Sequence, residues 1–319
     1  MNAILNQIGE RGLVPVVVID DAEMAVDAAR ALMDGGLDVM EITLRTDAGI
    51  AAIEKVRKAY PDMLVGAGTV LAVDKAREAV EAGARFIVTP GLNPKVVEWC
   101  LETGIAITPG CVTPTEIEQA LSYGLDTLKF FPANLYGGVE GCKALHGPYR
   151  HVGFIPTGGV SRETLGEYAD KPYVHAVGGG WLCKPADINA GRFDAITRIV
   201  RESIDTLLGF EFVHMGINAD HGDEASAITG MFAKAFGFPV SEGETYRFAG
   251  PGIEVMKSPG KGAMGHIGIR TNSINRAVHY LGKRGFAVDP DTYTAKNGKP
   301  FVVYMRDDFG GYAVHLMQK

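Results

Sequence analysis

The chain has 319 residues, 46% of them hydrophobic and 22% charged, with a formal charge of −7; that is enough for two domains or one large one. The acidic balance disfavours nucleic acid or an anionic membrane as a partner, but does not exclude a local basic pocket for one phosphate. No run of 18 apolar residues appears, and Met1 to Leu5 carries no basic, apolar leader; neither a membrane span nor a signal peptide is expected, and a cytoplasmic location is. Cys100, Cys111, Cys142 and Cys183 show no C-x-x-C spacing, which fits reduced thiols.

Along the first 208 residues, short apolar runs alternate with amphipathic stretches. The expected strands are Leu13 to Ile19, Val39 to Leu44, Leu64 to Val70, Phe86 to Thr89, Ile105 to Thr108, Thr127 to Phe131, Gly153 to Pro156 and Val174 to Val177. Helical stretches follow them, such as Ala22 to Met33, Val73 to Ala82 and Pro114 to Tyr123. Eight such units at about 20-residue spacing predict parallel strands and an α/β fold, a (β/α)8 TIM barrel over residues 1–208. An open doubly wound sheet is the alternative.

Past Leu208 the pattern changes. Phe212-Val213-His214-Met215-Gly216-Ile217 is echoed by Met264-Gly265-His266-Ile267-Gly268-Ile269. Each copy continues into a helix, Ala225 to Phe236 and Ser273 to Arg284, then a Gly-Phe turn, then strands that close with Ile253 to Met256 and Val314 to Met317. Paired βαβββ modules, forming a smaller α+β domain over residues 209–319, fit this half.

Lys129 lies in the apolar run Thr127-Leu128-Lys129-Phe130-Phe131. Burial there disfavours an ammonium, and a neutral amine can attack a ketone to form a Schiff base; the competing reading is a lysine that snorkels to water. Barrels build their sites from the C-terminal ends of several strands. Strand 2 gives Glu41, Thr43 and Arg45 on one face by period-two alternation. Strand 3 ends in Gly66-Ala67-Gly68-Thr69, strand 4 in Thr89-Pro90-Gly91, strand 7 in Pro156-Thr157-Gly158-Gly159 and strand 8 in Gly178-Gly179-Gly180. Glycine-rich turns after strands 7 and 8 suit a phosphate, since bare N–H groups approach an anion closely. Glu41 with Arg45 could instead be a structural ion pair, and the glycines ordinary tight turns.

The segments Glu41-Ile-Thr-Leu-Arg-Thr46, Gly66-Ala-Gly-Thr-Val-Leu71, Lys129-Phe-Phe-Pro-Ala133 and Pro156-Thr-Gly-Gly-Val160 resemble those of the 2-keto-3-deoxy-6-phosphogluconate / 4-hydroxy-2-oxoglutarate aldolases, across residues 5 to 207. The resemblance implies a class I aldolase that releases pyruvate. Lys129 would form the imine and Glu41 would shuttle protons. Arg45 and Thr69 would hold the pyruvyl carboxylate and Thr157 would line the site. Gly158 and Gly159 would bind the distal phosphate, with Pro90, Gly179 and Gly180 completing the substrate contacts. It implies no cofactor for this step, and a homotrimer. One departure stands out: the family usually has serine where this chain has Gly180, so a strong preference for a phosphorylated substrate is in doubt.

In the second half, His214, Glu254, His266 and His315 occupy related places in the two copies. A closed β cup could bring them together as a divalent metal site. This half resembles the glyoxalase / vicinal-oxygen-chelate family, whose usual set is His, Glu, His, Glu; His315 departs from it. A metal-free structural cup is the alternative. His221 and His279 are expected on loop and helix surfaces. The leading expectation is a 2-keto acid aldolase with an appended domain. The alternatives are a non-catalytic ligand sensor, and a bifunctional enzyme whose second domain does metal-dependent chemistry on a related keto acid or aldehyde.

Overall fold

The β-branched and apolar runs of the first half form parallel strands: β1 (Leu13–Val17), β2 (Val39–Thr43), β3 (Leu64–Gly68), β4 (Phe86–Val88), β5 (Ala106–Thr108), β6 (Thr127–Phe130), β7 (Gly153–Pro156) and β8 (Val177–Gly179). Every residue of β2 and β3 is buried, as parallel strands covered on both faces require. Six strands pair in the order β5-β4-β3-β2-β1-β8, and β6 pairs with β7. Single bridges, Gly110 to Lys129 and Thr157 to Gly178, join β5 to β6 and β7 to β8, so the ring of neighbours closes. This is a TIM-like fold. The computed structural model describes residues 2–296 and 298–319, and the chain divides into two units, Met1–Leu207 and Leu208–Lys319.

The helix Ala3–Arg11 closes the floor of the barrel. Its ends are set by Asn2, whose side chain accepts from the Ile4 N–H, and by Gly12 at a left-handed φ of 69°. Arg11 pairs with Asp38 at 2.8 Å, and His175 Nε2 lies 2.7 Å from the Leu5 carbonyl oxygen. These ties hold Ile8 beneath the barrel interior.

Two details depart from the sequence reading. The eighth strand begins at Val177 rather than Val174, so Gly178 and Gly179 are strand residues and not a turn. The reason is steric. A Cβ on Gly178 would lie 2.3 Å from Thr157 Oγ1, and one on Gly179 would lie 1.6 Å from the Trp181 ring. In addition, β2 ends at Thr43, and Arg45 sits in the turn beyond it, exposed, rather than on the strand face with Glu41.

The second unit is rich in sheet. Its strands are β9 (Glu211–Asn218), β10 (Val240–Glu242), β11 (Tyr246–Ala249), β12 (Ile253–Met256), β13 (His266–Thr271), β14 (Thr294–Lys296), β15 (Lys299–Tyr304) and β16 (Ala313–Gln318). Helices Gly222–Phe236 and Ile274–Lys283 follow β9 and β13, so the order βαβββ occurs twice. All eight strands form one sheet, β10-β11-β12-β9-β13-β16-β15-β14. The two halves meet where β9 and β13 run antiparallel, and each of these strands is flanked on its other side by a parallel neighbour, β12 or β16. His221 caps the helix Gly222–Phe236, its Nδ1 accepting from the Glu224 N–H.

Candidate active site and a second buried cluster

In the barrel, β6 and β2 carry Lys129 and Glu41 into the interior. Nζ of Lys129 lies 3.4 Å from Glu41 Oε1, and the two residues are 5% and 3% exposed. A snorkelling lysine would be far more exposed, so that alternative falls away. The Lys129 backbone is pinned to the end of β5. Its N–H donates to the Pro109 carbonyl, and its own carbonyl accepts from the Cys111 N–H at 2.8 Å. The Phe131 ring centroid lies 5.2 Å from Lys129 Nζ. Glu41 has room because β3 presents Gly68 beside it: a Cβ there would lie 2.1 Å from Oε1. Glu41 pairs with Lys129 and not with Arg45, which removes the reading of Glu41 and Arg45 as a structural ion pair.

An interior cavity of about 10 Å³ lies between Ile8 and Lys129, with Glu41, Thr108, Ile155 and Thr157 on its walls. That is about the space of one water. Toward the strand ends, Arg45 Nε donates to Thr69 Oγ1 at 3.2 Å. Thr69 adopts a φ of +57°, and no other described non-glycine residue has a positive φ. A β-branched side chain is strained in that region, and such strain concentrates at functional sites. Thr157 is buried at the end of β7, and Gly158 and Gly159 follow at left-handed φ values of 89° and 75°, where a side chain would be strained. Gly180 is exposed and begins a 3-10 turn after β8. A Cβ there would meet nothing closer than the Val16 carbonyl oxygen at 3.6 Å, so a serine would fit. Pro90, at the end of β4, is half-buried.

A family model for KDPG and KHG aldolase matches residues 4–199. The chain belongs to this aldolase family. It is 45% identical over 192 residues to the 2-dehydro-3-deoxy-phosphogluconate aldolase of Treponema pallidum, covering 60% of this chain and 91% of that one. It is 40% identical over 193 residues to the KHG/KDPG aldolase of Escherichia coli K12, covering 60% and 91%. The solved KDPG aldolase of Legionella pneumophila, with pyruvate captured as a covalent carbinolamine, superposes with a TM-score of 0.60 at 35% identity, covering 62% of this chain and 96% of that one. The aldolase is therefore an enzyme of the carbon–carbon lyase class, from a family that works through a lysine Schiff base. The matched residues end before the second unit.

That unit holds its own buried cluster. Glu254 Oε2 lies 2.9 Å from His266 Nε2 and 3.2 Å from His214 Nε2. His315 Nε2 lies 3.1 Å from His214 Nε2. The sequence thus singled out four residues that the fold does bring together. It missed what makes room for them. Gly216 stands in register with Glu254 on one side and His266 on the other, and Gly268 with His214 and His315. A Cβ on Gly216 would lie 1.9 Å from the His266 ring, and one on Gly268 would lie 2.5 Å from the His214 ring. The signal was present as a repeated His-x-Gly, His214-Met215-Gly216 and His266-Ile267-Gly268. The Phe248 ring packs edge-on against His214 and Tyr304 stacks on His315, with centroids 6.0 and 4.9 Å apart.

At His214, His315 and Glu254 the electrostatics favour the ligating protonation states. Burial lowers the His214 and His315 imidazoles, the latter to about 3, with the neighbouring histidines adding to the effect and Glu254 opposing it. For Glu254, burial pushes the carboxyl up, but the His266 hydrogen bond and the three nearby imidazoles outweigh it and hold it low. Neutral imidazoles and an ionised carboxylate are what a divalent ion needs.

Proposed function

We propose that the first unit cleaves short 2-keto-4-hydroxy acids, 2-keto-3-deoxy-6-phosphogluconate and 4-hydroxy-2-oxoglutarate among them, to pyruvate and an aldehyde. The observation that carries this is the buried Lys129–Glu41 pair at 3.4 Å, set among the strand ends of an aldolase barrel. The Lys129 amine attacks C2 and water leaves, giving a protonated imine. Glu41 accepts the C4 hydroxyl proton, directly or through one water. The C3–C4 bond then breaks, its electrons flow to the imine nitrogen as an enamine, and the aldehyde departs. Protonation at C3 and hydrolysis release pyruvate and restore the amine. Arg45 and Thr69 hold the carboxylate end, Thr157 lines the site beside Pro90 and Gly179, and Gly158 and Gly159 face the distal end. Exposed Gly180 offers no hydroxyl there, which leaves unphosphorylated substrates competitive. The barrel assembles as a homotrimer.

Pyruvate with borohydride should add one pyruvyl-derived mass to the peptide that contains Lys129. Lys129→Arg should abolish both adduct and cleavage, because a guanidinium stays charged and cannot attack. Labelling at another lysine would overturn the assignment.

A second reading concerns the other unit: we propose that His214, Glu254, His266 and His315 bind one divalent metal. Ligand atoms about 2.0–2.2 Å from a common ion stand roughly 2.9–3.5 Å apart; three contacts in the cluster, of 2.9, 3.2 and 3.1 Å, fall in that range, and the ligand atoms of the three histidines all lie within 4.8 Å of one another, with Glu254 reaching His214 and His266 from one side. The paired βαβββ order supports the likeness to the glyoxalase family. The ion would supply Lewis acidity; the chain supplies three imidazoles and one carboxylate. A divalent ion held this way keeps a net positive charge, which favours an anionic oxygen ligand over a neutral one. The purified protein should hold up to one metal per chain. His214→Ala combined with His266→Ala should strip it while aldol cleavage persists. An empty wild-type site after metal-supplemented growth would favour a structural cup.

A further inference from the structure

We propose that the Thr43 hydroxyl is a further substrate contact of the aldolase, donating to an oxygen of the 2-oxo-carboxylate head. This rests on the reading of Lys129 as the imine-forming residue. Thr43 is the last residue of β2 and is completely buried, and its Oγ1 has no hydrogen-bond partner among the described residues. A buried hydroxyl without a partner carries a desolvation penalty of about 1–3 kcal/mol, so its retention calls for a reason.

Its direction follows from register. Thr43 stands opposite Gly68 on the parallel neighbour β3, as Glu41 stands opposite Gly66. Both glycines face the barrel interior: a Cβ on Gly66 would meet the Phe86 ring, and one on Gly68 would meet the Glu41 carboxylate. Residues in register on neighbouring strands share a face, as do residues two apart on one strand. Thr43 therefore shares the interior face with Glu41, about 6–7 Å further along β2. Two residues beyond it comes Arg45, hydrogen-bonded to Thr69. Along the chain Thr43 thus falls between the proposed proton carrier on the strand and Arg45 in the turn just past the strand end. In a 2-keto-4-hydroxy acid, the chain from the C4 hydroxyl to the carboxylate runs through C3 and C2, and the oxygens along that stretch are the one on C2 and those of the C1 carboxylate. Buried Thr89, by contrast, already spends its hydroxyl on the Gly91 carbonyl at 2.7 Å. The Thr43 donor is uncommitted, and a carboxylate or a carbinolamine oxygen is the acceptor that the substrate brings to that level.

The test uses the full chain with Thr43→Val, which keeps shape and removes the hydroxyl, and Thr43→Ser, which restores it. Three quantities are read: Tm without ligand, the rate of borohydride-trapped pyruvate adduct at subsaturating pyruvate, and kcat/KM for 4-hydroxy-2-oxoglutarate. Thr43→Val should keep or raise the ligand-free Tm, because an unpaired polar atom is gone. Trapping and kcat/KM should both fall about ten- to a hundredfold, the effect of one lost hydrogen bond to a charged oxygen, and Thr43→Ser should recover most of the loss. Wild-type trapping and turnover in Thr43→Val would overturn the proposal. So would a fall in ligand-free Tm alongside activity, which marks a hydroxyl already used within the folded chain. A wild-type chain that forms no adduct would overturn the Lys129 reading and this one together, and is told apart from failure of Thr43 alone, where wild type and variant label equally.

Discussion

In the barrel, an amine and a carboxylate 88 positions apart in sequence meet at 3.4 Å. In the second unit, three imidazoles and one carboxylate from four neighbouring strands are linked by three contacts of 2.9 to 3.2 Å. Both clusters are buried, and both are seated where a glycine on an adjacent strand leaves space. Their chemistry differs. In the function proposed for it, the barrel pair supplies both nucleophile and proton carrier, so covalent chemistry would begin once a ketone arrives. The second cluster offers lone pairs alone, converging from a duplicated module, with no amine or thiol among its four donors. Such a set suits the ion proposed for it rather than attack on a carbon. Burial of polar groups is therefore not one signal: which groups are buried together decides between covalent catalysis and coordination.

The comparison breaks first at Glu41. Glu41→Gln keeps shape but cannot carry a proton, and cleavage should fall about 10²–10⁴-fold with metal content unchanged. Turnover close to wild type would reduce Glu41 to a partner that merely neutralises Lys129. A crossed pair of glycine substitutions sharpens the contrast. Gly216→Ala should drive the His266 ring off Glu254 and weaken metal binding by about 10–100-fold, the usual effect of disturbing a ligand's support, while cleavage persists. Gly68→Ala should displace the Glu41 carboxylate and lower kcat/KM by up to about 100-fold, while metal affinity persists. Titration with a metal indicator and a pyruvate-release assay on both variants would show whether the effects segregate. Equal losses of both readouts in either variant would mean that the two centres depend on one another. The smallest expected effect is at Gly180. Gly180→Ser should raise the ratio of kcat/KM for the six-carbon phosphorylated substrate over 4-hydroxy-2-oxoglutarate by roughly tenfold. Equal gains for both substrates would place residue 180 away from the phosphate.

Much of the barrel was legible because its strands are short apolar runs with polar groups at one end, a pattern that survives in linear order. The places of Lys129, Glu41, Thr69, Thr157 and the glycines after β7 at strand ends could be read this way, whereas the roles of Thr69, Thr157 and those glycines came from the family resemblance. The eighth strand was misplaced because Gly178 and Gly179 carry no strand propensity of their own; Thr157 beyond the neighbouring strand β7 and Trp181 in the turn after β8 demand their smallness. The four clustered residues of the second unit were legible through the duplication. Gly68, Gly216 and Gly268 were not assigned their roles, because each answers to a side chain on another strand and register is not written in either strand alone. Thr43 escaped for a related reason: the lack of a partner is a property of the assembled interior.

The backbone at Thr69 has a consequence for the evolution of this chain. Its left-handed conformation costs on the order of 1–3 kcal/mol, and glycine would relieve that at once. Glycine would also remove the hydroxyl that receives Arg45 Nε at 3.2 Å. A laboratory selection for heat resistance alone should therefore recover Thr69→Gly early, and a selection for growth that needs the aldolase should reject it. Position 69 would behave as a hinge of trade-off, where thermal fitness and catalytic fitness pull the same codon in opposite directions.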